Sequence, residues 1–259
     1  MSTKILTIMS KLGFVTCVAL GFECIKEIYR NGYKIKLIIT LKDDIGVNKS
    51  GRVYLDEFCI KNNISIVKVK NINEKNTIKI LKENDLDWLF IIGWSQIASK
   101  EILNLPKNGV LGMHPTLLPY GRGRASIPNA ILKSLNKTGV TFFKLVEEVD
   151  AGPIISQTII PLSANTTATE LYEKSQKAHV ELIRGSIKKI VNNEVKFINQ
   201  SNKNATFWKG RKPEDGEIKQ NMSLEYAEKL VRATTHPYPG AFCLLDGKKI
   251  IIWEAEFKK

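Results

Sequence analysis

The stretch Val110-Leu-Gly-Met-His-Pro-Thr-Leu-Leu-Pro-Tyr-Gly-Arg122 joins a short apolar run to an irregular loop that begins at a histidine. The run Val110–His114 is typical of a strand that is buried on both faces. The prolines and glycine that follow favour a loop. Asp150 lies in a second loop, beyond one predicted helix and one predicted strand. A histidine and a carboxylate in two such loops predict an imidazole base with an acidic partner.

Apolar runs with the character of buried strands alternate with longer amphipathic runs along the chain. The predicted strands are Ile5–Met9, Ile35–Thr40, Ile64–Val69, Trp88–Ile92, Val110–His114, Val140–Leu145 and Ile154–Leu162. The predicted helices are Phe14–Arg30, Gly51–Asn62, Glu74–Asn84, Ser99–Leu103, Ser126–Leu135 and Thr167–Asn193. Helical crossovers between successive strands predict an α/β fold with a Rossmann-like, mostly parallel sheet flanked by helices.

The composition changes after the long predicted helix. Residues 199–221 are polar and contain glycine and proline, which predicts a linker excursion over the surface. Ser223 can cap a helix that runs to Thr234. Phe242–Leu245 and Ile250–Trp253 flank Asp246-Gly247, which favours a primed turn in a β-hairpin. We therefore expect a catalytic domain over 1–198, the linker over 199–221, and a small C-terminal α+β subdomain over 222–259.

The charge of the chain favours an anionic partner without choosing one. The 259 residues carry a formal net charge of +13, with a pI near 9.5. A nucleotide diphosphate, a polyanionic cofactor, nucleic acid and an acidic membrane surface all remain open. The lysines are scattered, so solvated lysines on helix faces are the simpler interpretation, and nucleic acid is a poorly supported partner.

Cysteine spacing and hydropathy bear on the compartment. The four cysteines show no close pair and no metal-ligand rhythm, which indicates reduced thiols. The apolar run Leu12–Phe22 resembles the core of a signal peptide but continues into an amphipathic pattern. No apolar stretch is long enough to span a bilayer. We expect a cytoplasmic protein without membrane insertion.

The usual cofactor fingerprints are missing from the sequence. Ser10-Lys-Leu-Gly13 contains no G-x-G-x-x-G, and no P-loop occurs elsewhere. None of the three histidines, His114, His179 and His236, has a neighbouring cysteine. We expect no metal site. His179 falls inside the long predicted helix, where a core or surface position is the default.

Several ordered motifs resemble one enzyme family. They are Gly93-Trp-Ser-Gln96, His114-Pro-Thr-Leu-Leu-Pro119, Gly121-Arg-Gly-Arg124, Thr138-Gly-Val-Thr141, Val149-Asp-Ala-Gly-Pro-Ile154 and Thr235-His-Pro-Tyr-Pro-Gly-Ala-Phe242. Together they resemble the formyltransferases that use N10-formyltetrahydrofolate, and among these the sugar N-formyltransferases. The resemblance is dense over about 86–160 and returns over 208–242, whereas the N-terminal third is similar mainly in layout.

The resemblance implies a reaction and its residues. A formyl group would pass from N10-formyltetrahydrofolate to the primary amine of a nucleotide-linked amino sugar, in cell-surface polysaccharide biosynthesis. His114 would take the proton from the amine, and Asp150 would hold the tautomer of the imidazole and favour the imidazolium. The family has an asparagine two residues before this histidine, but here Gly112 stands there. The expected oxyanion donor is therefore missing, and protonated His114, a backbone N–H near Gly112 or a water would have to replace it.

The resemblance also implies where the ligands bind. The residues implied for the folate are Ile92, Gly93, Trp94, Gln96, Val146, Glu147 and Asp150. Trp94 has the equal alternative of filling the core. Arg122 and Arg124 are the candidates for an anionic substrate, because glycine neighbours allow close backbone approach and guanidinium binds phosphate in pairs of hydrogen bonds. Either arginine could instead anchor its own loop.

Other functions stay open on the sequence. Formylation of methionyl-tRNA would fit the shared motifs and the basic charge, although the C-terminal unit looks small for that role. Formylation of glycinamide ribonucleotide and hydrolysis of formylfolate leave the C-terminal extension unexplained. A protein that binds folate or nucleotide sugar without catalysis is the alternative raised by Gly112. The terminal hairpin could pair with a second copy, so we expect a homodimer.

Overall fold

In this computed structural model, which describes residues 10–47 and 49–257, a seven-stranded sheet forms the centre of the fold. Its strands, in the order in which they lie side by side, are β3 (Ser65–Val69), β2 (Ile35–Leu41), β1 (Leu12–Val15), β4 (Trp88–Ile91), β5 (Gly109–His114), β7 (Lys137–Lys144) and β8 (Ile154–Pro161). The first five are parallel, whereas β7 and β8 are antiparallel to their neighbours. The predicted α/β class with a mostly parallel sheet is confirmed.

Helices connect the strands and cover both faces. They are α1 (Ala19–Arg30), α2 (Asp43–Gly46), α3 (Asp56–Lys61), α4 (Lys75–Asn84), α5 (Lys100–Leu103), α6 (Ser126–Leu132), α7 (Ala168–Val191) and α8 (Leu224–Thr234). Six of these fall within predicted helices in the first 198 residues, and α8 matches the helix predicted after Ser223. The short helix α2 was not predicted.

The start of the sheet differs from the prediction. The segment Phe14–Arg30 was predicted to be entirely helical, but β1 occupies Leu12–Val15 and α1 begins only at Ala19. All four residues of β1 are buried, because the strand lies between β2 and β4 with a helix layer on each face. A continuous apolar run has no period that separates a buried strand from a buried helix. The predicted strand Ile5–Met9 lies outside the described residues.

Different helices pack on the two faces of the sheet. Leu12 and Phe14 belong to the larger apolar cluster, which includes residues of α1 and α7. Val15 belongs to the cluster on the other face, with Leu81 of α4 and Ile102 of α5. The chain runs from β1 outward to β3 and then crosses to β4, so β1 and β4 flank the point where the strand order reverses. Ligands of such sheets bind at the carboxyl ends of the strands beside this point.

The long helix α7 is held at both ends and carries a buried histidine. Thr167 and Glu170 form a capping box at its start, an arrangement that typically stabilises a helix by about 1 kcal/mol. Near its end, Trp88 of β4 donates a hydrogen bond of 2.9 Å to the carbonyl of Ile190. His179 lies between, fully buried, and its Nδ1 is 2.7 Å from the carbonyl oxygen of Ser175.

The C-terminal part packs against helices that cover the main sheet. Helix α8, capped by Ser223, lies on α6. Strands β10 (Ala241–Leu245) and β11 (Lys248–Ile252) form the predicted hairpin, and Asp246 and Gly247 both have the positive φ of a primed turn. The proposed boundaries at 198 and 221 stay a prediction. Within the predicted linker, a two-residue strand β9 (Phe207–Trp208) pairs in parallel with β6 (Arg122–Gly123).

A helix must be both long and apolar to cross a bilayer. In the described parts of the chain, every helix is too short or too polar to cross a membrane. The cytoplasmic location predicted from the sequence stays a prediction.

The buried His179 predicts how stability changes with pH. The pKa of His179 is lowered from 6.5 to about 4, chiefly by burial, with a smaller contribution in the same direction from His114 and an opposing one from the hydrogen bond to Ser175. As the pH falls below 6.5, the unfolded chain takes up this proton before the folded chain does, so stability is full above pH 6.5 and is lost towards pH 4.

We expect wild-type protein to lose about 3 kcal/mol more unfolding free energy than His179→Leu between pH 7 and pH 4, measured by denaturant titration. His236→Leu, which removes an exposed histidine, should behave like the wild type. Identical pH dependence in wild type and His179→Leu would contradict the burial argument.

Candidate active site

His114 ends β5 at the carboxyl edge of the parallel strands, and its side chain is only 9% exposed. Its Nε2 lies 2.8 Å from the carbonyl oxygen of Gly121 and 3.2 Å from the hydroxyl of Ser126. Its Nδ1 lies 3.6 Å from Oδ2 of Asp150. The two residues that the sequence singled out therefore meet in one place, between the loop after β5 and the loop before β8.

The contact with Gly121 determines the tautomer of the imidazole. A carbonyl oxygen only accepts hydrogen bonds, so the 2.8 Å contact requires the proton to be on Nε2 of His114. In the neutral ring the lone pair is then on Nδ1, which faces Asp150. The resemblance led us to expect that Asp150 holds the tautomer of the ring. In the structure a backbone carbonyl of the Pro/Gly/Arg loop is bonded to Nε2, and Asp150 faces Nδ1 at a distance that is too long for a hydrogen bond.

Asp150 is itself held by the backbone of the Gly-Arg-Gly-Arg loop. Its Oδ2 accepts a hydrogen bond of 2.8 Å from the N–H of Gly123. The residue has φ of 54°, in the left-handed region that aspartate enters more readily than most residues. Gly123 has φ of 104°, and a Cβ there would lie 2.3 Å from the carbonyl oxygen of Trp208. Only glycine fits at 123, which explains one glycine of the motif.

Arg122 supports this arrangement from inside. Its guanidinium is buried and donates to Glu148 at 3.2 Å, to Gln200 at 3.0 Å and to Asn202 at 2.9 Å. Gln200 in turn donates to the carbonyls of Asp150 and Gly152, at 2.8 and 2.7 Å. The sequence left two roles open for Arg122, binding an anionic substrate and anchoring its own loop. These contacts favour the anchoring role for Arg122. Its role as a substrate ligand stays an untested prediction.

Arg124 differs from Arg122 in its surroundings. Its side chain is exposed, and no carboxylate of the described residues forms an ion pair with its guanidinium. Its backbone N–H donates to the carbonyl of Trp208 at 3.0 Å. Of the two arginines in the motif, Arg124 is thus the one that is available to an anionic ligand.

The Leu145 side chain occupies the space beside Gly112. A Cβ at this position would lie 2.6 Å from Cδ2 of Leu145, so the tip of that side chain would have to move before a side chain could stand at 112. Gly112 also pairs with Ile91 of β4 and Phe143 of β7, which directs its backbone polar groups to neighbouring strands. A donor from the Gly112 backbone is therefore disfavoured, and His114 or a water remains for the oxyanion.

The loop after β4 contains four of the predicted folate residues. Ile92 is fully buried, and Gly93 has φ of 68°, with Val18 2.3 Å from where a Cβ would lie. The Trp94 ring packs between two apolar clusters, although its buried Nε1 has no partner in the described residues. Gln96 is bonded to the backbone of Ile72 and Lys70 at 2.9 and 2.8 Å. Contacts from this loop to a ligand would come chiefly from its backbone.

The remaining predicted folate residues lie in the loop after β7. Val146 is 40% exposed, and Glu147 forms an exposed ion pair of 2.9 Å with Lys100 of α5. Next to them is a cavity of about 320 Å³, which Leu103, Gly109 and Leu145 also line. Val146 and Glu147 thus lie beside α5, whereas Asp150, further along the same loop, lies beside His114. The seven predicted folate residues thus lie in two separate loops. One loop follows β4, and the other follows β7, which pairs with β5.

Several residues of the site were not found from the sequence. Gln200, Thr206 and Trp208 are distant from His114 along the chain, yet Thr206 accepts from the N–H of Gly121 at 2.8 Å. Ser126 touches the imidazole directly. Gln200, Thr206 and Trp208 all lie in the segment 199–221, whose polar composition predicted a linker and not a part of the site. The one signal of burial in that segment was Trp208, because tryptophan is rarely left exposed in a linker. Among the described residues, no cluster of His, Cys, Asp and Glu could hold a metal ion.

Comparison with known proteins identifies the family. The model of the family described as formyl transferase matches residues 19–187, and that of the formyl transferase C-terminal domain matches residues 211–259. This chain therefore belongs to the formyl transferase family. The bifunctional polymyxin resistance protein ArnA of Wigglesworthia glossinidia brevipalpis is 31% identical over 237 residues, which are 92% of this chain and 36% of that protein. The chain thus spans about a third of the length of this relative.

Two solved structures show the shared fold. A 4-N formyltransferase from Francisella tularensis has a TM-score of 0.75 at 22% identity, with 97% of this chain and 99% of that chain covered. An N-formyltransferase from Helicobacter canadensis, in complex with folinic acid and dTDP-3-aminofucose, has a TM-score of 0.71 at 23% identity. That match covers 94% of this chain and 87% of the other.

Proposed function

We propose that this protein transfers a formyl group from N10-formyltetrahydrofolate to the primary amine of an amino sugar linked to a nucleoside diphosphate. Membership of the formyl transferase family supports the reaction class. The observation that carries the proposal for this chain is the approach of His114 Nδ1 to Asp150, with the other ring nitrogen bonded to Gly121. The sugar nucleotide is suggested by dTDP-3-aminofucose in the related structure from Helicobacter canadensis.

In this proposal Nδ1 of His114 is the base. The neutral amine attacks the formyl carbon, and the electron pair of the C=O bond moves to oxygen. Nδ1 accepts the proton that the new ammonium loses. The electron pair on oxygen then re-forms the C=O bond as the C–N10 bond breaks, and N10 takes the electron pair of that bond together with the proton that Nδ1 returns. The products are a formamide and tetrahydrofolate. The protonated ring would be stabilised by Asp150 on one side and by the Gly121 carbonyl on the other.

The position of Asp150 suits this role. A separation of 3.6 Å is too long for a direct hydrogen bond to Nδ1 but short enough for strong attraction once the ring is charged. Both groups are mostly buried, at 9% and 15% side-chain exposure, so water screens the attraction only weakly.

The test is a transfer assay with the purified 259-residue chain. Formylfolate would be incubated with 3-amino and 4-amino sugars linked to dTDP, UDP and GDP, and products followed by mass. We expect one sugar to gain a formyl group. His114→Gln should lower kcat by about a thousandfold and Asp150→Asn by about a hundredfold, because each loses proton transfer or charge stabilisation. His236→Gln, at an exposed histidine, should keep wild-type activity.

Three results would contradict the proposal. Retained activity in a folded His114→Gln protein would exclude this base. Formylation of methionyl-tRNA but of none of the sugars would replace the substrate class. Binding of formylfolate without turnover on any acceptor would favour the binding protein that lacks catalysis.

A homodimer is part of the same proposal. Strand β11 pairs only with β10 within the described residues, and Leu244, Leu245 and Ile250 of the hairpin are 54%, 58% and 46% exposed. A free strand edge with exposed apolar side chains favours pairing with a strand of a second copy. If two copies of β11 pair in antiparallel fashion about Ile250, Lys248 of one copy becomes the diagonal neighbour of Glu254 of the other. The two side chains have opposite charges, which favours this pairing.

We expect light scattering to give twice the chain mass of 29.2 kDa at micromolar concentration. Ile250→Lys should give the single-chain mass, whereas Lys219→Ala, on the surface of another segment, should not change the dimer. A single-chain mass for wild type would contradict the homodimer.

A further inference from the structure

The side-chain amide of Gln200 bonds two backbone carbonyls of the Asp150 turn, residues 150–152. Its Nε2 donates to the carbonyl oxygen of Asp150 at 2.8 Å and to that of Gly152 at 2.7 Å. An amide nitrogen carries two hydrogens, so both are used on this one turn. Gln200 therefore contacts the main chain of the acidic partner of His114 directly, although it is distant from it in sequence.

Arg122 determines which way the Gln200 amide points. The Oε1 atom of Gln200 accepts from the Arg122 guanidinium, with Nη2 at 3.0 Å and Nε at 3.3 Å. Arginine only donates hydrogen bonds, and the two carbonyls of the Asp150 turn only accept them. The amide oxygen must therefore face Arg122, and the amide nitrogen must face the turn. The Arg122 side chain is only 6% exposed, so water has little access to its end of this arrangement.

A backbone bridge brings Gln200 to this place. Ile198 exchanges two hydrogen bonds with Ile154, the first residue of β8, at 2.7 and 2.8 Å. Ile154 closely follows Asp150 in the sequence, and Gln200 closely follows Ile198. The start of β8 thus holds the chain that carries Gln200 next to the Asp150 turn. Since the bridge consists of backbone bonds alone, a change of the Gln200 side chain leaves its hydrogen-bonding groups unchanged.

The Asp150 turn has a backbone conformation that needs support. Asp150 has φ of 54°, and a Cβ at Gly152 would lie 1.7 Å from the carbonyl oxygen of Lys144. A residue other than glycine in the left-handed region costs free energy and persists only where its surroundings hold it there. The two bonds from Gln200 end on Asp150 itself and on Gly152, so they supply this support.

The carboxylate of Asp150 is sensitive to small shifts of its turn. Its Oδ2 lies 2.8 Å from the backbone nitrogen of Gly123 and 3.6 Å from Nδ1 of His114. The attraction between a carboxylate and a protonated imidazole falls as their separation grows, and it falls further once water enters between them. A displacement of about 1 Å at a reacting group can lower a rate by about a hundredfold.

We propose that Gln200 is a positioning residue for the transfer reaction, which holds the Asp150 turn so that the carboxylate faces Nδ1 of His114. The amide nitrogen acts on the turn, and Arg122 holds the amide oxygen. The kinetic consequence rests on the proposed function, whereas the effect of Gln200 on the position of Asp150 can be measured without turnover. The competing role is anchoring of the segment 199–221, for which the size of the side chain and its bond to Arg122 are what matter.

Gln200→Glu distinguishes these two roles, because glutamate has the size of glutamine. A carboxylate keeps the bond to Arg122 and strengthens it by its charge, but it only accepts hydrogen bonds and so repels the carbonyls of Asp150 and Gly152. Positioning therefore predicts that kcat falls more in Gln200→Glu than in Gln200→Ala, where water can replace the amide. Anchoring predicts the opposite order, because glutamate preserves the anchor and alanine removes it.

The first measurement is kcat for formyl transfer in a double-mutant cycle with Asp150→Asn. A residue that acts only through Asp150 loses its effect once that carboxylate is gone. Gln200→Glu should lower kcat about tenfold in the wild-type background and less than about twofold in Asp150→Asn. Gln176→Glu, in a groove on α7 beside Arg30 and Arg184, is the matched control and should keep wild-type kcat. Equal factors in both backgrounds, full activity in Gln200→Glu, or a lower kcat in Gln200→Ala than in Gln200→Glu would overturn the inference.

The second measurement is amide hydrogen exchange by NMR on the 259-residue chain, which needs no substrate. The N–H of Gly123 donates to Asp150, whereas the N–H of Gly121 donates to Thr206 of the segment 199–221. In Gln200→Glu, exchange at Gly123 should be about tenfold faster, while Gly121 keeps its wild-type rate because the segment stays in place. Faster exchange at both amides would show that Gln200 anchors the segment, and unchanged exchange at both would show that Asp150 has not moved. Either result overturns the inference.

The two measurements together separate this inference from the proposed function. If exchange becomes faster at Gly123 alone but wild type formylates no sugar, Gln200 positions Asp150 and the proposed function is wrong. If wild type formylates a sugar and Gln200→Glu changes neither kcat nor the exchange at Gly123, the function stands and the positioning role is wrong. Should Gln200→Glu fail to fold, Gln200→Ala is measured in the same cycle and the same exchange experiment, with smaller changes of the same pattern expected.

Discussion

The hydrogen bond between Nε2 of His114 and the carbonyl of Gly121 is the constraint on which the site depends. Nε2 donates this hydrogen bond, so Nδ1 is left facing Asp150. A carbonyl can act in this way only if the loop after β5 turns back on its own first residue. The loop from Pro115 to Gly121, which contains two prolines and one glycine, makes that turn, with φ of 77° at Gly121. The chemistry of the imidazole is therefore set by the conformation of a loop.

A second layer holds this loop in place from a distant part of the chain. Gln200 and Arg122 bridge the Asp150 loop, and β9 pairs with β6. The buried Trp208 ring packs edge-on against Tyr120, with 5.5 Å between the ring centres. The segment that looks like a linker in sequence is thus part of the wall of the site. A substitution at Gln200 would act on His114 only through the position of Asp150.

The sequence predicted the sheet well where strands had clear limits. The strands that end in Leu41, Val69 and His114 were predicted closely, since apolar β-branched runs bounded by polar residues define buried strands. The first strand was missed because Leu12–Val15 merges with the apolar start of α1 without a turn residue between them. The meeting of His114 with Asp150 was predicted from motifs. The contacts of Gly121, Ser126 and Gln200 were not, because tertiary hydrogen bonds of loops leave no period in the sequence.

The most direct test of this account is the tautomer of His114, read from long-range ¹H–¹⁵N correlations of the three histidine rings. The neutral His114 ring should carry its proton on Nε2, whereas His179, whose Nδ1 donates to Ser175, should carry its proton on Nδ1. His179→Leu and His236→Leu assign the three signals, and His179 serves as the internal reference of opposite type. A neutral His114 ring with its proton on Nδ1 would contradict the account, because Gly121 would then have no donor and Nδ1 no lone pair.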